Sequence, residues 1–190
     1  NKLLGIMFYA SMVFIPANSH FTHIIAPMYL LLAPLLITAD QLTKLWIKQR
    51  FAFGGQELEL GLGFSLTYVR NTGAAFGILR DFSVPIGSVI FDGTHMLGLL
   101  SGLIATALLI YLVFRGPTLK PLQSLALIFI FSGAVGNMID RLRLGFVVDF
   151  VHFQIGLFNF PVFNLADSCI VIGAILLLLY SLIPINSADL

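Results

Sequence analysis

Four long apolar segments constrain the fold of this chain more than any other feature. They are residues 24–47, 96–114, 122–139 and 160–183. About 20 consecutive apolar residues form a helix that crosses the hydrocarbon core of a bilayer, so segments of this length suit transmembrane helices. Hydrophobic residues make up 58% of the chain and charged residues 10%, whereas soluble domains carry about 25% charged residues. The sequence therefore predicts a mainly α membrane protein with four transmembrane helices.

Charge and cysteine content exclude several other classes of protein. The formal net charge is +1 and the lysines and arginines form no basic run, so we expect no nucleic-acid partner. The single cysteine, Cys169, cannot form an intrachain disulfide. We interpret it as a packing residue and not as a nucleophile, because no histidine lies near it in sequence.

The segment between the first two apolar stretches has the pattern of a β-strand. From Leu58 to Tyr68 the even-numbered residues are leucine, phenylalanine or tyrosine, and the odd-numbered ones are glutamate, glycine, serine or threonine. A period of two with one apolar face is typical of a half-buried strand. We predict a small β-sheet within about residues 52–90, lying on the outer membrane surface.

Residues 1–23 precede the four-helix domain, which we place at residues 24–190, and are left unassigned as an N-terminal extension. Residues 3–15 are apolar but too short to span a bilayer comfortably. They resemble the core of a signal peptide or a partial interfacial helix.

The orientation of the helices follows from the charged links. Four spans put both ends of the helical domain on one side, and the short link 115–120 carries two cations and no anion. Short basic links remain in the cytoplasm, so both termini of the domain are predicted to be cytoplasmic. The loop 48–95 and the connection 142–159 then face outward, and they bring several polar residues to the outer end of the bundle.

The polar residues at that end pair by helical spacing. Asp40 with Lys44, Asn137 with Arg141, and Asn164 with Asp167 are three or four residues apart, so each pair shares a helix face. Polar side chains facing lipid are costly, and we expect these six to line one pocket between helices. A helix starting at residue 160 would place Asp167 roughly 10 Å below its outer end. Asp149, in the outward connection, can fold back toward Asp167.

Two carboxylates close together in a dry site cannot both ionise easily, so the pair shares a proton near neutral pH. The ionised member can activate water, and the protonated member can polarise a peptide carbonyl and protonate the leaving amine. Asp149 and Asp167 therefore form a candidate catalytic dyad. The sequence has no Gly-x-Ser-x-Gly or His-Glu-x-x-His motif for competing chemistries.

Each of these polar residues also has a structural interpretation. Asp40 and Lys44 can form an ion pair that anchors a helix end, and Asp140 suits a solvated carboxylate or a salt-bridge partner better than a catalyst. Arg141 can anchor the helix at the interface or organise the site. Asn137 and Asn164 can simply connect helices by hydrogen bonds, and Asp167 can cap the start of a broken helix.

Five sequence motifs strengthen the catalytic interpretation. They are Asp-Gln-Leu-Thr-Lys (40–44), Arg-Asn-Thr-Gly-Ala-Ala-Phe-Gly (70–77), Gly-Asn-Met-Ile-Asp-Arg (136–141), Val-Val-Asp-Phe (147–150) and Phe-Asn-Leu-Ala-Asp-Ser (163–168). In this order they resemble the motifs of the lipoprotein signal peptidases, also called signal peptidase II. The resemblance implies that Asp149 and Asp167 are the catalytic dyad. It also implies residues that line or support the site: Asn71, Gly73, Asn137, Arg141, Asn164, and the polar pair Asp40 and Lys44.

The resemblance further implies an aspartic endopeptidase of the bacterial cytoplasmic (inner) membrane, with its active site toward the outer face. Its substrate is a diacylglyceryl-modified prolipoprotein, cut just before the lipidated cysteine to release the signal peptide. No metal or organic cofactor is implied, globomycin-type cyclic peptides are expected inhibitors, and we expect a monomer surrounded by membrane lipid. Most members of the family carry fewer residues before the first span.

A proton- or ion-coupled transporter is the alternative, because paired intramembrane acids also serve proton relays. Transporters usually contain repeats and polar groups that reach both faces. This sequence shows no internal repeat, and its polar groups gather at one end. A purely structural membrane subunit would leave the clustered Asp and Asn residues unexplained.

Overall fold

The computed structural model describes residues 20–55, 57–73, 83–86 and 89–182. This part of the chain contains four α-helices joined by strands, with one turn of 3₁₀ helix at Gly116–Thr118. The helices are α1 (His20–Arg50), α2 (Gly93–Arg115), α3 (Pro121–Leu144) and α4 (Leu165–Ser181). The apolar segment 3–15 of the predicted N-terminal extension lies outside the described residues.

Two helices in the described part of the chain are long and apolar enough to cross a bilayer. They are α2 and α3, with mean hydropathies of 2.4 and 1.7, and they confirm the helices predicted at 96–114 and 122–139. Helix α4 is apolar but has only 17 residues. The predicted total of four spans therefore stays a prediction. Large apolar side chains such as Leu103 and Phe114 on α2 are 69% and 77% exposed, as expected for a surface that lipid covers.

The predicted start of the fourth helix, at residue 160, is wrong. Residues Phe158–Phe163 form a β-strand, and α4 begins at Leu165 after Asn164, which caps the helix. A short apolar run suits a strand as well as a helix, and here pairing with a neighbouring strand determines the outcome. Asp167 consequently lies in the first turn of α4, and not two turns inside a helix.

The strands form one four-stranded antiparallel sheet and one separate hairpin. The sheet has the order β1 (Leu58–Gly61), β2 (Phe64–Asn71), β5 (Val147–Ile155) and β6 (Phe158–Phe163), and the hairpin pairs β3 (Ser83–Ile86) with β4 (Val89–Asp92). The alternating pattern correctly predicted β1 and β2. Strands β5 and β6 were not predicted, because residues 142–159 were expected to form only a connection and residues from 160 onward the fourth helix.

The apolar face predicted for β1 and β2 is uncovered on β1 and becomes buried toward the end of β2, where Tyr68 is 4% exposed. Leu58 and Leu60 on β1 are 50% and 58% exposed, and Leu62 in the following turn is 92% exposed. On β2, in contrast, the polar residues Ser65 and Thr67 are buried. A sheet with exposed leucines on one face fits the predicted position on a membrane surface.

Close packing of α3 against α4 brings the two helices that carry site residues together. A side chain at Gly133 would overlap the backbone oxygen of Ala166, and one at Gly173 would come within 2.6 Å of the backbone oxygen of Ala126. Small residues of this kind let helix backbones approach in a membrane, where dispersion contacts replace the hydrophobic driving force.

Candidate active site

Asp149 is held in the buried first half of strand β5. It is 2% exposed, and both of its carboxylate oxygens accept hydrogen bonds from side-chain amides. Asn71 Nδ2 donates to Oδ2 at 2.9 Å, and Asn164 Nδ2 donates to Oδ1 at 2.7 Å. Asn71 lies on β2 and is paired with Val147 at the start of β5. Sheet pairing therefore places Asn71 beside the carboxylate.

Asp167 is held by the way α4 begins. Asn164 is the N-cap residue: its Oδ1 accepts the backbone N–H of Asp167 at 2.8 Å, and Asp167 Oδ2 accepts the backbone N–H of Asn164 at 3.2 Å. This reciprocal capping box satisfies two backbone donors that a helix start otherwise leaves free. The second oxygen, Oδ1, accepts a hydrogen bond from Asn137 Nδ2 on α3 at 2.7 Å. Asp167 is only half-buried.

Asn164 joins the two aspartates. Its side chain is fully buried. The same amide group that donates to Asp149 carries the oxygen that caps the helix of Asp167. Its Nδ2 also lies 3.2 Å from Asn137 Oδ1, so the two asparagines and the two aspartates form one hydrogen-bonded cluster. Proximity of Asp149 to Asp167, which the sequence only permitted, is present in the structure.

Burial raises the pKa of Asp149 to about 7, and the nearby charge of Asp167 adds to the effect, while the hydrogen bonds from Asn71 and Asn164 act in the opposite direction. This is the behaviour expected of two carboxylates that share a secluded site. Near neutral pH, the protonated and ionised forms of Asp149 are both accessible. The pair can therefore supply an acid and a base at once.

A buried ionic cluster lies behind the aspartates. Lys44 Nζ is 2.9 Å from Asp40 Oδ2 and 3.2 Å from Asp140 Oδ2, and it donates to Asn137 Oδ1 at 3.1 Å. The predicted pairing of Asp40 with Lys44 is confirmed. Of the two structural roles considered for Asp140, the salt bridge is correct and the solvated carboxylate is wrong, because Asp140 is only 3% exposed.

The turn after β2 connects the site to helix α2. Asn71 Oδ1 accepts the backbone N–H of Gly73 at 3.1 Å, and Gly73 is buried. Thr94 Oγ1, at the start of α2, donates to the backbone oxygen of Thr72 at 2.7 Å. Gly73 thus contacts the site through Asn71. Thr94 was not a predicted site residue, and nothing in its local sequence distinguished it.

Arg141 lies at the edge of the site on α3. Its guanidinium charge interacts with those of Asp167, Asp149 and Asp140. Its Nε is buried and has no hydrogen-bond partner within the part of the chain that the structure describes. Arg141 thus brings a positive charge near the two aspartates and keeps one buried donor that the described residues do not satisfy.

The predicted site residues thus fall into three groups. The hydrogen-bonded cluster consists of Asp149, Asp167, Asn71, Asn137 and Asn164. Directly behind it lie Asp40 and Lys44. Its border is formed by Gly73 and Arg141. Gln41, which the sequence analysis did not select, joins the ionic cluster by donating to both Asp40 and Asp140. Its position beside Asp40 in the 40–44 motif was the available signal. Among the described residues, no group of three or more His, Cys, Asp or Glu side chains could hold a metal ion.

Solved structures with the same fold define the class of protein. The chain is similar to two structures of bacterial membrane enzymes determined by the in meso method. One has a TM-score of 0.68 and 31% identity, covering 82% of this chain and 88% of that chain. The other has a TM-score of 0.67 and 29% identity, covering 84% and 95%. Together with the clustered acids, these matches place the protein among membrane enzymes.

Sequence comparisons give the family. Residues 32–183 match the family model described as "Signal peptidase (SPase) II". Lipoprotein signal peptidase of Moorella thermoacetica is 42% identical over 157 residues, 82% of this chain and 93% of that protein. That of Streptococcus pyogenes serotype M1 is 37% identical over 155 residues, 80% and 91%. The chain belongs to the signal peptidase II family and is a membrane protease.

Proposed function

We propose that this protein is an intramembrane aspartyl endopeptidase that removes signal peptides from diacylglyceryl-modified prolipoproteins, cutting before the lipidated cysteine. The observation that carries the proposal is the link through Asn164, whose one side chain hydrogen-bonds Asp149 and caps the helix start that holds Asp167. The relatives named above are lipoprotein signal peptidases, which supplies the substrate class.

The chemistry proposed for the pair is general acid–base catalysis. The ionised aspartate removes a proton from a water molecule as the oxygen attacks the scissile carbonyl. The protonated aspartate donates a hydrogen bond to the carbonyl oxygen and then transfers its proton to the leaving amine. Since the two groups titrate as a coupled pair, the shared proton belongs to the pair and not to either residue.

The position of the pair suits a substrate anchored by lipid. We propose that all four helices cross the membrane, with cytoplasmic termini and the strands at the outer face. Asp167, the third residue of α4, then lies roughly 3 Å along the helix axis from its first residue, at a rise of 1.5 Å per residue. A signal peptide crosses the bilayer as an apolar helix, while its diacylglyceryl cysteine stays in the outer leaflet. The scissile bond therefore reaches the outer interface, where this pair lies.

Asn71 and Gly73 belong to the same proposal. Asn71 donates to Asp149, and its own oxygen is engaged by the backbone of Gly73. We propose that this turn contacts the substrate backbone above the dyad, and that the guanidinium of Arg141, whose Nε has no hydrogen-bond partner among the described residues, binds the substrate or an inhibitor of the globomycin type. The arrangement favours a peptidase over a transporter, because the buried charged side chains of the described residues, Asp40, Lys44, Asp140 and Asp149, lie together at the sheet end of the helices.

The test is cleavage of a synthetic prolipopeptide that carries diacylglycerol on its cysteine, by the purified protein in lipid nanodiscs. We expect two products by mass spectrometry, with the new amino terminus on the lipidated cysteine, and loss of both products when globomycin is added. An identical peptide without the diacylglyceryl group is the matched control and should not be cut. Absence of cleavage by folded protein, or cleavage at another bond, would contradict the proposal.

A further inference from the structure

Two carboxylates outside the proposed dyad make the same kind of contact, one beside each member of the dyad. Asp40 Oδ1 accepts the backbone N–H of Ala166, the residue before Asp167, at 2.9 Å. Asp140 Oδ2 accepts the backbone N–H of Val148, the residue before Asp149, at 3.0 Å. Both acceptors are almost fully buried, at 1% and 3% exposure. Each dyad residue is therefore adjacent in sequence to a backbone group held by a buried carboxylate.

Two side chains of α1 connect the acceptors to each other. Lys44 Nζ forms ion pairs with Asp40 at 2.9 Å and with Asp140 at 3.2 Å. Gln41 Nε2 donates to Asp40 Oδ2 at 3.2 Å and to Asp140 Oδ1 at 3.1 Å. Through Lys44 and Gln41, helix α1 thus connects its own Asp40, which contacts the start of α4, to Asp140 of α3, which contacts strand β5.

The strength of these contacts favours a positioning role. A hydrogen bond to an ionised acceptor is roughly twice as strong as one between neutral groups, and fixing the preceding peptide unit restricts where the next side chain can point. The distance between two coupled carboxylates determines how far apart their protonation steps lie. Because the two acceptor carboxylates are joined by one lysine, holding both peptide units in place also fixes the distance between the Asp149 and Asp167 carboxylates.

We propose that Asp140 is the positioning residue for Asp149, that Asp40 is the corresponding residue for Asp167, and that Lys44 joins them so that the two catalytic carboxylates keep a fixed separation. This inference rests on the proposed dyad. Asp140 touches neither the substrate nor the reacting atoms in this account, and it acts only through the backbone of Val148.

The test compares three variants with the wild type in the lipidated-peptide assay. Asp140→Asn keeps the volume and one acceptor oxygen for the Val148 N–H but loses the charge. Asp140→Leu removes both the charge and the acceptor oxygen. Ser132→Ala is the control, because Ser132 is buried on the same helix and, among the described residues, its hydroxyl bonds only the Ile128 backbone oxygen of that helix. Folded protein is quantified in each preparation, and rates are expressed per folded molecule.

A displacement of about 1 Å in a catalytic group costs on the order of 100-fold in rate. We expect kcat to fall by about 10-fold in Asp140→Asn and by about 100-fold in Asp140→Leu, with KM little changed and Ser132→Ala like the wild type. The pH profile of kcat gives a second readout. A wider separation weakens the coupling of the pair, so the two apparent pKa values of the bell-shaped profile should move toward each other.

A role only in folding would lower the amount of folded protein and leave both kcat per folded molecule and the pH profile unchanged, which would overturn the inference. If Asp140→Leu does not fold, Asp140→Asn decides by the same two readouts. Asp149→Asn is measured in parallel. Wild-type activity in that variant would overturn the dyad itself, whereas an inactive Asp149→Asn with normal kcat and pH profile in Asp140→Asn would overturn only the positioning role.

Discussion

The side-chain amide of Asn164 lies 2.7 Å from the carboxylate of Asp149 while its oxygen caps helix α4. Asn164 therefore has two roles: it caps a helix and it contacts the proposed catalytic pair. The cap uses Oδ1 and the contact uses Nδ2, so substitutions can separate the two roles.

Replacing Asn164 by serine should separate the two roles. Serine is a good N-cap residue, so the helix start is kept, but its short hydroxyl cannot reproduce the amide contact with Asp149. We expect the melting temperature in detergent to stay close to that of the wild type. The rate should fall on the order of 10² to 10³, as when one preorganised donor is removed from an active site. Asn164→Ala should show the same rate loss and, in addition, lose about 1 kcal/mol of stability with the cap.

Cleavage per folded molecule and thermal stability, measured on the same preparations, distinguish the capping role of Asn164 from its contact with Asp149. If Asn164→Ser keeps near-normal turnover, the amide contact with Asp149 is dispensable. Asn164 would then be a capping residue only.

The close approach of α3 to α1 and α4 at Gly136 gives a prediction about stability. A methyl group at Gly136 would lie 2.7 Å from Asp40 Oδ2 and 3.1 Å from the Ala166 side chain. Gly136→Ala should therefore destabilise the fold by about 1–3 kcal/mol through overpacking, and it should lower kcat by displacing Asp40. Gly116→Ala is the control, because a methyl group there meets no described atom within 4 Å. Thermal unfolding in detergent measures the difference, and equal stability of the two variants would contradict the packing account.

A histidine at the sheet surface predicts a pH dependence of stability. His152 Nε2 lies 2.8 Å from Asn159 Oδ1 and Nδ1 lies 3.1 Å from Glu57 Oε2. Both ring nitrogens face oxygen acceptors, so the doubly protonated ring is favoured. The hydrogen bond with Asn159, followed by that with Glu57, raises the pKa of His152 above its usual 6.5. Hydrogen bonds from Ser65 and then His152 lower the pKa of Glu57 below its usual 4.5.

The sign of each contribution follows from linkage. The His152 contribution is complete below about pH 6.5 and is lost as the pH rises through the higher folded pKa. The Glu57 contribution is present above its usual pKa and is lost as the pH falls through the lower folded value. Stability from this pair is therefore greatest at about pH 4.5 to 6.5. His152→Gln should lower the melting temperature more at pH 5.5 than at pH 8.5, and an equal effect at both pH values would contradict the assignment.

The sequence predicts those parts of the fold and site that follow from the spacing of residues within one helix or strand. Helical spacing correctly paired Asp40 with Lys44, because residues four apart on a helix necessarily share a face. The period of two correctly predicted β1 and β2. Residues 160–163 were assigned to the start of the fourth helix because a short apolar run does not distinguish a helix from a strand, and pairing with β5 determines their conformation.

Asp140 is a residue whose environment could not be predicted from its position in the sequence. A carboxylate near a helix end suits solvent as well as a buried ion pair. The distinction depends on Lys44, Gln41 and Val148, two of which lie about a hundred positions away in sequence. Similarly, the asparagine bridge to Asp149 depends on the sheet returning residue 149 to the start of α4. Tertiary contacts of this kind have no local sequence pattern.

The central claim, that Asp149 and Asp167 act together as the catalytic pair, is tested most directly by replacing each with asparagine. Single-turnover cleavage of the diacylglyceryl peptide is followed in nanodiscs, with folding and substrate binding measured on the same samples. Asparagine preserves volume but cannot exchange a proton, so each variant should fold, bind substrate and show no turnover. The double variant should be no worse than either single one. Cleavage near the wild-type rate by either folded single variant would contradict the account.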